Sequence, residues 1–356
     1  MRYIIIVCVL LHILLPSVYA IESIDEDTNT LLENLPTDAS EMMDHVDLEE
    51  QDVMHSLTRL LKASIEKCMP AIRDGMKTAG ILLTVVFLCS LCSTQSSDHR
   101  SCVIVGVLGM FAAIMGSVST FVQLSKDTIQ NLADFSAMLL PIMASAMAVS
   151  GNPVTAAGLH AWTALGAQIL MRLTIKILIP GVYLFLAIAA AETALSNDFL
   201  GEIREFICWL IEKSLRVIVY LFTAAISLTG VISGNADALA VKATKTAVSG
   251  MIPVVGGILS DASETMLASA SVVKNSIGFV GMMAIISVSI IPITRVGVQY
   301  LIMKGTAACT GAIGKKEHVK FLKHVSTAMG LLLAMTGTCG LLLLISSVCY
   351  IKVMVI

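Results

Sequence analysis

Residues 326–351 read STAMGLLLAMTGTCGLLLLISSVCYI and contain no charged side chain. As one helix this stretch rises about 39 Å, enough to cross the roughly 30 Å hydrocarbon core of a bilayer. The whole chain has the same character, since 56% of its 356 residues are hydrophobic and only 14% are charged. A soluble domain is about 25% charged. The composition therefore excludes a soluble globule, and the lack of a basic excess argues against a nucleic-acid-binding protein.

Other apolar runs of membrane-spanning character precede this stretch. They are 78–92, 102–122, 137–150, 154–171, 173–195, 206–233 and 276–303. Aromatic residues are only 5% of the chain, which favours helices packed through small residues over a β-barrel with aromatic girdles. We therefore predict an all-α, polytopic helical membrane protein with about six to eight spans.

Two of these runs can be arranged in more than one way. The turn signal Ser150-Gly151-Asn152-Pro153 separates 137–150 from 154–171. The pair forms either two short spans or one re-entrant hairpin, and both arrangements leave the rest of the topology unchanged.

The N-terminus resembles a secretory signal. Arg2 precedes a short apolar core, Pro16 breaks it, and Val18 and Ala20 supply small residues for cleavage before Ile21. Residues 1–20 are therefore predicted to be a cleavable signal peptide, with an uncleaved anchor as the alternative.

The charge of the chain is distributed unevenly. Twelve of its 26 acidic residues lie in 21–56, a segment without Lys or Arg. The rest of the chain therefore holds 14 acidic residues and all 23 basic residues. We predict that 21–52 is a flexible acidic segment on the extracytoplasmic side, followed by an extracytoplasmic amphipathic helix at 53–76 that lies on the membrane or packs against another helix. The polytopic membrane domain then occupies 77–356.

The basic residues agree with the orientation that a signal peptide implies. The segment 304–325 holds five lysines against one acid, and the count of spans places it in the cytoplasm, as the positive-inside rule requires. Within it, Lys315, Lys316, Lys320 and Lys323 are candidate contacts for a cytoplasmic partner or for membrane lipid.

One extracytoplasmic segment, 234–275, is too apolar for an ordinary loop and is predicted to form short amphipathic helices at the membrane. Near its end a proline and a glycine pair break an apolar run, and polar residues then cap a new helix. Such breaks occur at membrane depth only when they are buried in protein or line a cavity. The alternatives are a packed interfacial loop and a surface for translocation or assembly. The candidate residues are Pro253, Gly256, Gly257, Asp261, Glu264, Lys274, Asn275 and Gly278.

Signatures of catalysis are absent from the sequence. It contains no HExxH, GxSxG or phosphate-loop motif and no paired carboxylates in one apolar helix. Cys89-x-x-Cys92 has metal-ligand spacing but lies in an apolar run without a nearby histidine. We therefore expect no cofactor, no metal and no enzymatic activity.

The same motifs resemble a known family. Five stretches carry the resemblance, namely IPVVGGILSDASET at 252–265, VVKNSIG at 272–278, LLPIMASAMAVSG at 139–151, ILIPGVYLFLAI at 177–188 and LRVIVYLFTAAISLTGVISG at 215–234. They resemble the stage III sporulation protein AE family of endospore-forming bacteria. The resemblance covers most of residues 75–350.

The resemblance implies a function that composition does not. Members are integral membrane subunits of a channel or secretion-like complex that joins mother cell and forespore and sustains forespore development after engulfment. The implied location is the mother-cell-derived outer forespore membrane. The implied partners are other stage III sporulation proteins, including a cytoplasmic ATPase, and a homo-oligomer is compatible with this role.

Two other functions remain as alternatives. A stand-alone secondary transporter or permease should carry ionisable residues near the middle of the membrane and an internal repeat. An intramembrane enzyme should carry a nucleophile with its base, or a metal site. The sequence shows few ionisable residues within its apolar runs and no clear repeat.

Overall fold

A computed structural model describes residues 35–43, 53–95, 99–149, 152–251 and 256–355. The predicted signal peptide lies outside these residues. For some helical positions only the backbone is described, namely 53–57, 93–95, 99, 227–251, 256–278 and 352–355.

The described residues form an all-helical protein with nine α-helices and no strand. The helices are α1 (Thr37–Met43), α2 (Val53–Lys67), α3 (Met69–Gln95), α4 (His99–Val149), α5 (Pro153–Leu173), α6 (Ile179–Leu195), α7 (Asp198–Met251), α8 (Gly256–Ile313) and α9 (Lys316–Val355). A π-helical turn, Thr174–Leu178, joins α5 to α6. It precedes Pro180, whose missing N–H and bulky ring disturb the hydrogen bonds of the preceding turn.

The long helices run alternately up and down in one bundle. Helices α4, α8 and α9 pack against one another at its centre, while α5 and α6 lie against α4 and α9, α7 against α5 and α6, and α3 against α4 and α8. Three helices end and three begin at one end of the bundle. There Ser90 Oγ of α3 donates to the carbonyl of Ile313 in α8 at 3.1 Å, and Glu192 of α6 pairs with Lys320 of α9. We call this the basal end.

Several helices are much longer than a bilayer is thick. Helix α4 has 51 residues and rises about 76 Å, whereas a hydrocarbon core is about 30 Å thick. Exposed polar side chains occupy the middle of α4, where Gln123 bonds Asp127 at 2.7 Å and Gln130 bonds Asp134 at 3.0 Å. Because exposed charges are costly in hydrocarbon, this part of α4 lies outside the lipid core.

Five helical stretches are long and apolar enough to cross a membrane by length and composition. They are Met69–Cys92, Arg100–Val149, Pro153–Leu195, Phe279–Ile313 and Lys316–Ile351. This search covers the described residues, so the predicted six to eight spans stay a prediction. The run 137–150 is the last part of α4, and the run 154–171 lies in α5, which packs against α4.

The acidic segment predicted to be flexible contains an ordered helix. Ala39, Met42 and Met43 of α1 are buried, and α1 packs against α8. A hydrogen bond from Lys67 of α2 lowers the pKa of the Glu41 carboxylate and ties α1 to α2. The apolar residues of α1 explain the difference, since they bury a face that the surrounding acids conceal in the composition.

The amphipathic helix predicted at 53–76 ends earlier, because a turn at Cys68 separates α2 from α3. Leu60 and Ser64 of α2 are fully buried, and α2 packs against α8. Leu61 and Ile65 are more than half exposed. The helix therefore docks on its own membrane domain with one part of its apolar face and leaves another part uncovered.

The segment 234–275 does not form the short helices predicted for it. Helix α7 continues to Met251 and α8 begins at Gly256, so the segment belongs to the ends of two long helices. Its alanine-rich stretches, such as 236–247, favour helix despite the Gly and Ser content.

The close approach of α5 and α7 depends on Gly166. A Cβ atom at this position would lie 2.4 Å from the ring of the buried Phe222, whereas a Cβ at Gly116 would meet nothing within 4 Å. We expect Gly166→Ala to lower the free energy of unfolding by about 1–3 kcal/mol through overpacking. Gly116→Ala should leave it unchanged or raise it by up to about 1 kcal/mol, because alanine favours helix.

The measurement is the midpoint temperature at which each detergent-solubilised variant loses its monodisperse state. Equal midpoints for the two variants would contradict the packing of Phe222 on Gly166.

Candidate functional site

A carboxylate is buried where three helices meet at the basal end. Glu192 lies in the last turn of α6 and its side chain is only 3% exposed. Helix α6 ends three residues later at Leu195, and Ser196 then adopts a left-handed conformation with φ 51°. Asn197 then accepts the Phe199 backbone N–H at 2.9 Å and caps the start of α7. This tight reversal returns the chain past Glu192.

Three basic side chains from two other helices face this carboxylate. Arg204 Nε of α7 donates to Glu192 Oε2 at 2.6 Å, and Lys320 Nζ of α9 lies 2.7 Å from Oε1. His324 Nε2 of α9 lies 3.7 Å from Oε2, too far for a hydrogen bond. Both carboxylate oxygens are therefore occupied by charged donors.

Aromatic packing and a glycine complete the cluster. The guanidinium of Arg204 lies 6.0 Å from the centre of the Phe185 ring, and the same ring meets His324 edge to face. A Cβ on Gly201 would lie 2.9 Å from Glu192 Oε1. Glycine at this position therefore lets α7 approach the carboxylate.

The charges of this cluster hold helices together. Removing a carboxylate from water costs several kcal/mol, and only well-placed opposite charges offset that cost. Arg204 is 11% exposed and also pairs with Glu205 at 3.0 Å. The Glu192 cluster, comprising Glu192, Arg204, Lys320 and His324, thus fastens α6, α7 and α9 together.

The four candidate lysines differ in whether they form an ion pair. Lys320 is committed to Glu192. Lys315, Lys316 and Lys323 form no ion pair with a residue in the described part of the chain, and Lys316 and Lys323 are exposed. These three remain candidates for contact with a partner or lipid, while Lys320 has a structural role.

The candidate motif near 253–278 is only partly described. Pro253 lies outside the described residues. The other members lie on α8, where the backbone is helical and the side chains are not described. They are Gly256, Gly257, Asp261, Glu264, Lys274, Asn275 and Gly278. Their role as a pore or assembly surface stays a prediction.

Comparison with known proteins decides the family. The family model described as stage III sporulation protein AE matches residues 37–354. The chain belongs to the stage III sporulation protein AE family. The stage III sporulation protein AE of Bacillus subtilis (strain 168) is 20% identical over 292 residues, which cover 80% of this chain and 73% of that protein. No solved structure matches.

The match to the sporulation AE family includes the whole Glu192 cluster, since 37–354 contains all four of its residues. Neither Glu192 nor His324 is among the candidate residues that the sequence indicates. Glu192 is buried, and His324 is only 13% exposed. The sequence does contain a signal for an ion pair, because Glu192 is a lone acid at the end of an apolar run and needs a basic partner there. It does not show which basic residue that partner is.

The ion pairs of Glu192 should determine the stability of the basal end. We expect Glu192→Gln to lower the free energy of unfolding by about 3 kcal/mol, because Arg204 and Lys320 then lose their partner. Glu205→Gln is the matched control. Its side chain is 70% exposed, so the expected change is below about 1 kcal/mol.

A double-mutant cycle with Arg204→Gln isolates the pair. Thermal midpoints of the four detergent-solubilised proteins, namely the unmodified chain, the two single variants and the double variant, should give non-additive losses for Glu192 and Arg204. Additive losses at Glu192 and Arg204 would contradict their direct interaction.

Proposed function

We propose that this chain is a non-enzymatic integral membrane subunit of the sporulation complex that links mother cell and forespore. Its place is the mother-cell-derived outer forespore membrane, and it serves forespore development after engulfment as part of a channel or secretion-like apparatus. The observation that carries the proposal is the family match, which covers nearly the whole described bundle.

The shape of the bundle supports an assembly role. Five described stretches are suited to cross a membrane, yet α4, α7 and α8 have 51, 54 and 58 residues. Helices of this length rise about 76–87 Å and extend beyond a bilayer when they stand upright. The parts outside the lipid provide surface for other proteins of the complex.

The alternative of a stand-alone secondary transporter gains no support from the buried charges. Transporter sites lie near the middle of the bilayer and use ionisable groups or broken helices. Among the described Asp, Glu, His, Lys and Arg residues, the buried ones are Glu192 and His318. Both lie at the basal end, His318 beside Gly106 of α4, and Glu192 is saturated by its basic partners.

Affinity purification from the native sporulating host tests the proposal. The full-length tagged protein, isolated from membranes after engulfment, should carry other stage III sporulation proteins, and vegetative cells provide the control. Deletion of the gene should stop a late forespore-specific reporter. A normal reporter in the deletion strain, or a protein purified without stage III partners, would overturn the proposed function.

We further propose that Lys315 and Lys316 help to recruit a cytoplasmic ATPase of the same complex. Substituting both with Glu should reduce ATPase capture in a pull-down by about tenfold or more, since like charges at an interface cost several kcal/mol. Lys320 is left intact because it pairs with Glu192.

The matched control substitutes Lys126 and Lys176 with Glu, two exposed lysines on α4 and in the π-helical turn. Capture should be unchanged in the control. Equal capture by both double variants would show that Lys315 and Lys316 do not form the docking site.

A further inference from the structure

A cleft of about 940 Å³ opens between α7 and the packed pair of α8 and α9. Its wall on α9 extends from Lys323 to Thr338, a rise of about 22 Å along the helix. A bilayer including its headgroups is about 40–45 Å thick. The cleft is therefore about as long as one leaflet is deep.

The charges that line the cleft are mostly positive. Arg216, Lys304 and Lys323 contribute three cations, and Glu212 contributes the acid. None of these three cations forms an ion pair with a residue that the structure describes. The Lys304 ammonium donates to the Tyr300 hydroxyl at 2.9 Å, a neutral partner that leaves its charge uncompensated.

The remainder of the wall is largely apolar, although Ser326, Thr327 and Thr338 also line it. Val219 on α7 and Ala334 on α9 are accessible from the cleft, whereas Leu215 and Leu331 in the same wall are buried. Lys323 lies within two turns of the start of α9, whereas Leu331 and Ala334 lie further along the helix. Lys304 and Lys323 thus place positive charge within about 14 Å of the basal ends of α8 and α9, whereas Arg216 lies deeper, about 27 Å from the start of α7.

We propose that this cleft binds one anionic phospholipid. Its phosphate lies between Lys304 and Lys323, Arg216 adds electrostatic attraction from α7, and an acyl chain lies against Val219 and Ala334. Basic pockets between membrane helices on the cytoplasmic side bind anionic headgroups in this way. The inference rests on the membrane placement in the proposed function but not on any sporulation partner.

Two other occupants fit less well. An apolar helix from a second protein would leave three cations facing hydrocarbon, which is costly. A free anion such as phosphate would neutralise the cations but leave Val219 and Ala334 uncovered. An anionic lipid satisfies both the charge and the apolar wall.

Native mass spectrometry of the full-length protein in detergent tests the proposal with two lipids of equal chain length. Phosphatidylglycerol should remain bound where phosphatidylcholine does not. The triple substitution of Arg216, Lys304 and Lys323 with Gln should weaken phosphatidylglycerol binding about fivefold per charge, on the order of 100-fold in total, since each cation contributes about 1 kcal/mol.

The matched control is a triple substitution of Lys126, Arg172 and Lys176 with Gln, three exposed cations outside the cleft. It removes the same charge and should retain phosphatidylglycerol as the unmodified protein does. Equal binding by the two triple variants would overturn the proposal.

A second variant separates a lipid from a free anion. Ala334→Phe fills the apolar wall and keeps all three cations, so it should lose phosphatidylglycerol binding at least tenfold while elution volume and thermal midpoint stay unchanged. The proposal is wrong if Ala334→Phe binds phosphatidylglycerol normally, or if inorganic phosphate displaces the lipid at equal concentration.

The third possible occupant, a helix from a second protein, is tested in native membranes with a photo-cross-linking residue at Ala308, an exposed position in the cleft. Cross-linking to phospholipid supports the proposal, and cross-linking to a protein overturns it. The lipid-binding outcomes do not depend on the stage III partners of the proposed function, because loss of those partners would leave lipid binding by the purified chain unchanged.

Discussion

The basal end of the bundle depends on one buried carboxylate. Glu192 is 3% exposed and is held by Arg204 and Lys320 at 2.6 and 2.7 Å. Because an unpaired charge cannot stay buried at this position, α7 and α9 are constrained to bring their cations to the end of α6. This constraint sets the position of the turn between α6 and α7 relative to the turn between α8 and α9. The cleft between α7 and the α8–α9 pair opens beside the Glu192 cluster.

Helix length is the second constraint. Apolar composition requires a membrane, but a 51-residue α4 with an exposed polar middle does not fit within one lipid core. The helix lengths therefore fit a bundle that is partly embedded in the membrane and partly projects from it better than they fit a compact permease. A projecting bundle suits a subunit of a larger complex, and the lysines at its basal end remain available for contacts because Glu192 engages only Lys320.

Composition and apolar runs predicted the all-helical membrane character, and the quoted motifs predicted the family. They did not predict that 102–122 and 137–150 share one helix, because the stretch between them is polar and interrupts the apolar pattern. Side-chain pairs at i, i+4 spacing, such as Gln123 with Asp127, support the helix there. They also missed the burial of Glu192, since a partner twelve residues away and another in α9 are joined only by tertiary packing. The short α1 escaped notice because its few apolar residues lie within an acidic segment.

Thiol labelling in vegetative cells that express the protein in the plasma membrane, where its extracytoplasmic side faces the medium, tests the central proposal of a membrane-embedded bundle with its basal end in the cytoplasm. In a cysteine-free background, Lys316→Cys at the basal end and Asn131→Cys in the polar middle of α4 report two exposed positions. With a membrane-impermeant maleimide, the account predicts labelling of Asn131→Cys in intact cells and of Lys316→Cys only after permeabilisation. Labelling of Lys316→Cys in intact cells would contradict it.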